Sequence, residues 1–564
     1  IGSTASNGTF ISYDTSYISL RGEWKVFTPE VQGNPVRIST TAAFLSGSEG
    51  CLLGVSDPGI RWDAGRTIAL SSTRPLTQTG LLTTVGSGTW TFSGANSVIT
   101  NTGTIIHGGG GNNGISFTSS GMKLVNIGSI ILTNDSDFYS NSDLELINQG
   151  TIFKRDGAPS VWNTSGRMIN DGGTVISSNS SVLELAGVFA GAPGSGIGST
   201  ASNGTFISYD TSYIALRGEW NVFTPEVQGN PIRISTTATF YPGSEGCLLG
   251  VTDPGVQWTA GTAINIGNRT LTQTGLMFTA GNGTFSFSGG GTMTNSGTFI
   301  HGGNTAGNGI SASSGFTLYN SGTLMVTNNG DIHGGASGWT LHNAGTLLKR
   351  SSGTAQFITS GFLRNTGTLT TEGGTWTMNA VNWDVHASTY SGASLLEGAW
   401  VASNATFNFP TDHAAIDTIG ASASVILKGS SSSINNIGTT LATVNGTIGT
   451  HLQQVFSTTA GLAIPGTFEV GLADPDTNAV AVVTGIDITG GAAPIFTGCT
   501  VDVVDTGLTN GGTFTIMTWD GVDSGTPAIG SVPDNGLIYT LILNDTDLQL
   551  NIAPPPSGMA IFFE

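Results

Sequence analysis

The side chains that could do chemistry are few. Charged residues are 9% of 564, and glycan hydrolysis needs two carboxylates about 5–10 Å apart. On a chain wound in coils such a pair would recur at coil spacing. Asp135 and Asp156, beside Lys154 and Arg155, come nearest to that pattern. In a duplicated stretch further on, Lys349 and Arg350 persist but Ser352 replaces the second acid. These residues read as solvated charges at turns. The histidines His107, His301, His333, His342, His386, His413 and His451 form no HExxH or other zinc spacing and read as turn or core-edge residues. Asp474 and Asp476, and Asp545 and Asp547, are oxygen ligands of the kind Ca²⁺ takes. They lack the EF-hand and nonapeptide patterns and read as turns. The glycine strings at 108–114 and 288–292 lack the lysine and helix of a phosphate loop. The expectation is a non-enzymatic chain with no catalytic, cofactor or metal residues, Ca²⁺ being the one ion whose ligands are present.

What must position these residues is a repeat. Asn101, Asn126, Asn148 and Asn170 open the steps NTGT, NIGS, NQGT and NDGG; Asn295, Asn320, Asn343 and Asn365 open NSGT, NSGT, NAGT and NTGT. Steps 22 to 25 residues apart have the period of a solenoid coil. Each step lies between short apolar, β-branched stretches, which favours strands. Asn tolerates left-handed backbone and Gly prefers it, so Asn-x-Gly is expected to bend the strand sharply. Stacked coils put Asn over Asn and allow amide ladders.

Above the coil lies a duplication. Residues 1–60 match 197–256 at 52 of 60 positions. The expected divisions are module one at 1–196, module two at 197–390, further coils at 391–455, a C-terminal β domain at 456–551, and a Pro-rich spacer with an apolar terminal strand at 552–564. Composition agrees with many short strands: 85 Gly, yet 38% hydrophobic with 26 Phe and 11 Trp, too apolar for disorder. The recurring Trp24 and Trp220, and Trp62 and Trp258, read as core. Cys51 and Cys247 sit at matching places about eight coils apart, too far to pair, and read with Cys499 as buried thiols. A net charge of −19 disfavours nucleic acid. No run of 18 apolar residues suggests a membrane helix. The start at Ile1 suggests a removed leader or a fragment. Ten Asn-x-Ser/Thr sequons, among them Asn134, Asn179 and Asn404, offer surface glycosylation in a suitable host.

The segments IPGTFEVGLADPDTNAVAVVTGIDITGG, GGTFTIMTWDGVDSGT and GLIYTLILNDTDLQLNI, within residues 464–552, resemble the closing part of bacterial autotransporter-type passengers and related giant surface proteins. The Asn-x-Gly-Thr coils similarly look like adhesin-type β-helical surface proteins. These motifs are strand and glycine patterns of low specificity. The resemblance implies a secreted, cell-surface or extracellular-matrix β-helix; no translocator barrel follows in the sequence.

The expected fold is all-β: a right-handed parallel β-helix of about 17 coils over the first 390 residues, at ~23 residues per coil, with a more irregular C-terminal β region. The ends of such a stack are open strand edges. Met559, Ala560, Ile561, Phe562 and Phe563 form a candidate assembly strand. The expected function is structural, a subunit meeting copies of itself head to tail and serving adhesion. A monomeric adhesin recognising surface glycans is the second reading, and a polysaccharide lyase or hydrolase the third.

Overall fold

The computed structural model describes residues 8–44, 50–71, 75–109, 114–135, 137–140, 144–164, 167–187, 204–220, 222–240, 247–302, 309–334, 338–359, 361–378, 383–385, 387, 389–409, 415–434, 437–459, 461–472, 485–504 and 511–556. The candidate assembly strand 559–563 lies outside them. So do Asp474, Asp476, His386 and His413, and the side chain of His333.

The protein is a β-solenoid of parallel, stacked strands. Among the described residues one helical turn occurs, Ile437–Thr440. One coil shows the plan. Val98–Asn101, Thr104–His107 and Gly114–Phe117 each pair in parallel with the strand one coil later: Lys123–Asn126, Ser129–Leu132 and Asp137–Ser140. The three strands define three faces, here called the first, second and third. Four-residue strands of alternating burial aim every second side chain inward. On the second face Ile105, Ile130, Ile152, Val175 and Phe206 form one inward column, each at most 2% exposed. On the third face Phe92, Phe117 and Phe138 stack with centroids 5.4 and 6.4 Å apart. An inward residue is covered only by the rungs on either side, so the core is built between coils rather than within one.

The chain divides into two compact units: Ile1–Ala280 with Phe285–Met293, and Gly281–Thr284 with Thr294–Glu564. The duplication is therefore not the structural boundary. Within the first unit the opening strands of module two, Thr205–Ser208 and Tyr213–Glu219, stack in register on the last strands of module one, Thr174–Ser177 and Val182–Gly187.

In the second unit the rungs change character. Thr368–Met378, Ser394–Asn408 and Thr418–Lys428 are single strands of 11, 15 and 11 residues. The first two run through the corner that separates the second and third faces in earlier coils. The C-terminal region ends in a five-stranded sheet whose last pairings, Gly512–Trp519 with Asp547–Ala553 and that strand with Ile538–Leu543, are antiparallel. This is the irregular region expected from the change in sequence texture.

Candidate functional site

The eight asparagines of the repeat line up. Asn101 Nδ2 donates to Asn126 Oδ1, Asn126 to Asn148 and Asn148 to Asn170, each at 2.7 Å. In the second unit Asn295, Asn320, Asn343 and Asn365 repeat this at 2.6, 2.7 and 2.7 Å. All eight are fully buried. The second amide hydrogen goes to the main chain of the following rung, as from Asn126 to Thr151 O at 3.2 Å. The main-chain carbonyls of Asn101, Asn126, Asn295, Asn320 and Asn343 each also take two backbone N–H groups: Asn126 O accepts from Gln149 and Gly150 at 2.7 and 2.8 Å. A buried amide left unbonded costs about 1–3 kcal/mol, so the polar column is tolerable only because every rung supplies the next.

The glycine of each step has a different reason from the one expected. Gly128, Gly150, Gly345 and Gly367 do not have left-handed backbone. A Cβ on Gly128 would lie 2.0 Å from Gly103 O, and one on Gly345 2.2 Å from Gly322 O. Glycine stacks on glycine because the main chains approach too closely for any side chain. Left-handed asparagines sit at other turns: Asn96, Asn134, Asn179, Asn328 and Asn404 have φ of 46–57°. In the ladder, only the longer step at Asn170 has a left-handed glycine, Gly172 at φ 71°.

One rung before the first ladder, in register with Asn101, stands Gln78. Its Nε2 donates to Gly80 O at 2.7 Å, and Gln273 donates to Gly275 O at 2.6 Å. Each glutamine thus bonds its own corner.

Six residues past the ladder asparagine, the second-face strand ends on an inward position. His107 and His301 occupy it in one rung; Lys154 and Lys349 occupy it two rungs on. All four are fully buried. Lys154 and Lys349 are therefore not the solvated turn charges expected, whereas their neighbours Arg155 and Asp156 are half exposed and pair at 3.2 Å. Lys154 Nζ donates to Asn134 O and, at 2.6 Å, to Asp156 O. Lys349 Nζ donates to Ser351 O at 2.8 Å, Gly373 O at 3.0 Å and Ser351 Oγ at 3.3 Å. Burial lowers both lysines to about 8. Burial likewise lowers His107 to about 4, opposed by a backbone hydrogen bond at Asp137. Its Nδ1 lies 2.7 Å from Thr84 Oγ1. The imidazole is held neutral at pH 7.

Asp137 and Asp331, also buried, begin third-face strands. Each accepts a main-chain N–H of the next rung, Val161 N at 2.7 Å and Gln356 N at 2.9 Å. Asp156 Oδ1 accepts from Asn134 N at 3.4 Å. These carboxylates serve backbone groups at corners. Asp547 accepts from Asn544 and Gln549 at 2.5 and 2.7 Å. Among the described residues no cluster of three or more metal-binding side chains occurs. His342 meets Tyr319 edge to face, and His451 Nε2 lies 2.8 Å from Glu469. The paired tryptophans are core, with Trp62 and Trp258 fully buried and only Trp24 partly exposed. The three cysteines are buried.

Strand parity was the signal for the buried lysines. In Thr151–Lys154, as in Thr346–Arg350, the second and fourth residues share one side, so Lys follows Ile152 or Leu347 inward. No protein-family model matches the sequence, and no curated protein matches it either.

Proposed function

We propose that the chain is a non-enzymatic structural protein of a cell surface or extracellular matrix, akin to adhesin-type and autotransporter-passenger β-helices. In this reading copies stack head to tail and serve adhesion. One observation carries it: the module joins another module by adding rungs in register, with no change of architecture at the join. A chain built this way gains length by repetition, which suits a spacer or fibre. The buried titratable side chains supply a second support, since Lys154, Lys349, Asp137 and Asp331 are committed to main-chain groups inside the coil.

The opening edge itself favours stacking. Phe206, Ile214, Ala215 and Leu216 are fully buried beneath module one's last rung. Their counterparts include Phe10, which is partly exposed, and the same opening displays Ile11 and Tyr17 at 46 and 48% exposure. Contact of such an edge with the far end of another copy is heterologous and open-ended. Negative-stain microscopy tests the proposal. Filaments that lengthen with concentration are expected, and shorten on Ile11→Lys; particles of one fixed length at every concentration would overturn head-to-tail stacking.

A further inference from the structure

An amide ladder has a direction, and its two ends leave different atoms over. In the first series the second hydrogen of Nδ2 goes to a main-chain carbonyl, as from Asn101 to Ser129 O at 3.1 Å. That acceptor decides which atom of the amide is nitrogen. Each Nδ2 therefore faces the following rung and each Oδ1 the preceding one. At the far end the leftover group is a donor, and the main chain takes it. Asn170 Nδ2 donates to Gly173 O at 3.0 Å, and Asn365 Nδ2 to Ala399 O at 3.1 Å. At the near end the leftover group is an acceptor, Asn101 Oδ1. It is buried, and among the described residues no donor reaches it.

The backbone at that corner is already committed. Thr102 N and Gly103 N donate to Gln78 O at 2.8 and 3.1 Å, and Thr104 N to Gly80 O at 2.9 Å. Gln78 lies in register with Asn101 one rung earlier and is 3% exposed. Its Nε2 serves Gly80 O at 2.7 Å, and its Oε1 is a second buried acceptor that no donor among the described residues meets. Two amide oxygens on adjacent rungs thus call for hydrogens that the protein does not supply. Native structures satisfy nearly all such buried acceptors, with protein groups or ordered water.

We propose that the head of the ladder is a binding site for one water molecule, which donates one hydrogen to Asn101 Oδ1 and the other to Gln78 Oε1. The oxygen count selects water over a cation. Gln78 O and Gly80 O each take two donors already. The two remaining oxygens match the two hydrogens of a water and fall short of the ~6 that a hard cation gathers. The bridge carries the polar column back one rung, to a glutamine whose nitrogen serves its own corner. The second series has the same leftover atom. Asn295 Oδ1 is buried and meets no donor among the described residues, so a water caps that head too.

A crystal structure of the full chain, grown from sodium salts and again from rubidium chloride, tests the site. Expected is a fully occupied peak about 2.5–3.0 Å from both Gln78 Oε1 and Asn101 Oδ1, without anomalous signal from rubidium. A second peak is expected at Asn295 Oδ1, and its absence would overturn the recurrence. In Gln78→Leu, which removes one acceptor, the peak beside Asn101 is lost while that beside Asn295 stays. The proposal is overturned by a rubidium signal at the site, by maps without a peak there, by a direct bond from Gln78 Nε2 to Asn101 Oδ1, or by a peak indifferent to the leucine. Should Gln78→Leu fail to fold, the wild-type maps alone decide between water, ion and direct bond.

Discussion

The two buried lysines stand at equivalent corners in very different company. Around Lys154 lie Asp135, Asp137 and Asp156, all raising its pKa against the effect of burial. Around Lys349 burial is the one cause of the shift. Yet both end at about 8. Both also use main-chain carbonyls as their acceptors, Asn134 O and Asp156 O in one, Ser351 O and Gly373 O in the other. Any residue type supplies a carbonyl. The flanking side chains can therefore change, as Asp156 gives way to Ser351 at the structurally equivalent position, without disturbing the clip. What defines the corner is backbone geometry together with one long inward cation.

The first way to break the equivalence is at the ladder both corners depend on. Asn126→Ala and Asn320→Ala each remove an amide that links the rung before to the rung after. Each should lower unfolding free energy in urea by roughly 3 kcal/mol or more, since several buried partners lose their bonds together. A loss below about 1 kcal/mol in either would show that the two ladders are not alike.

Next come the glycines. Gly128→Ala puts a Cβ on a carbonyl 2.0 Å away and forces the stacked main chains apart. It should cost several times the roughly 1 kcal/mol expected for Gly172→Ala, where the strain is local φ and nothing lies within 4 Å. Equal losses would refute the close-approach explanation.

Titration sharpens the comparison further. With a folded pKa near 8 against 10.5 for the model side chain, the unfolded chain binds the more protons between about pH 8 and 10.5. The lysines' contribution to stability therefore rises with pH across that window. Lys154→Met and Lys349→Met should each flatten the rise by a similar amount relative to wild type; unequal flattening would mean that the acids around Lys154 matter after all. For His107, folded near 4 against 6.5, the unfolded chain again binds more protons between those values, so its contribution falls as pH drops from 6.5 to 4. His107→Gln should remove that part of the acid sensitivity. Asp156→Ser, which copies the residue of module two, should change stability by less than about 1 kcal/mol, as a half-exposed ion pair allows.

The coil, the strands and the asparagine column were all legible in the sequence, because a 22–25-residue period of Asn-x-Gly leaves few architectures open. The role of glycine was not. Left-handed turns and close main-chain approach both select Gly, and only the stacked coordinates of Gly103 and Gly128 separate them. The lysines were misread because charge suggested solvent while strand parity pointed inward. Gln78 escaped notice because a glutamine one rung early does not match the repeated step. The lengthened strands after Thr368 fall where the Asn-x-Gly steps cease, and there the ladder ends against Thr389, whose hydroxyl meets Asn365 N at 3.2 Å and Glu397 at 2.8 Å.

Hydrogen exchange of the asparagine side-chain amides, followed by NMR on ¹⁵N-Asn-labelled protein, tests the stacked column most directly. Asn126 and Asn320 amides should exchange only through opening of the surrounding rungs, far more slowly than those of exposed Asn268 and Asn282. Exchange of the ladder amides at the rate of the exposed ones would contradict the account.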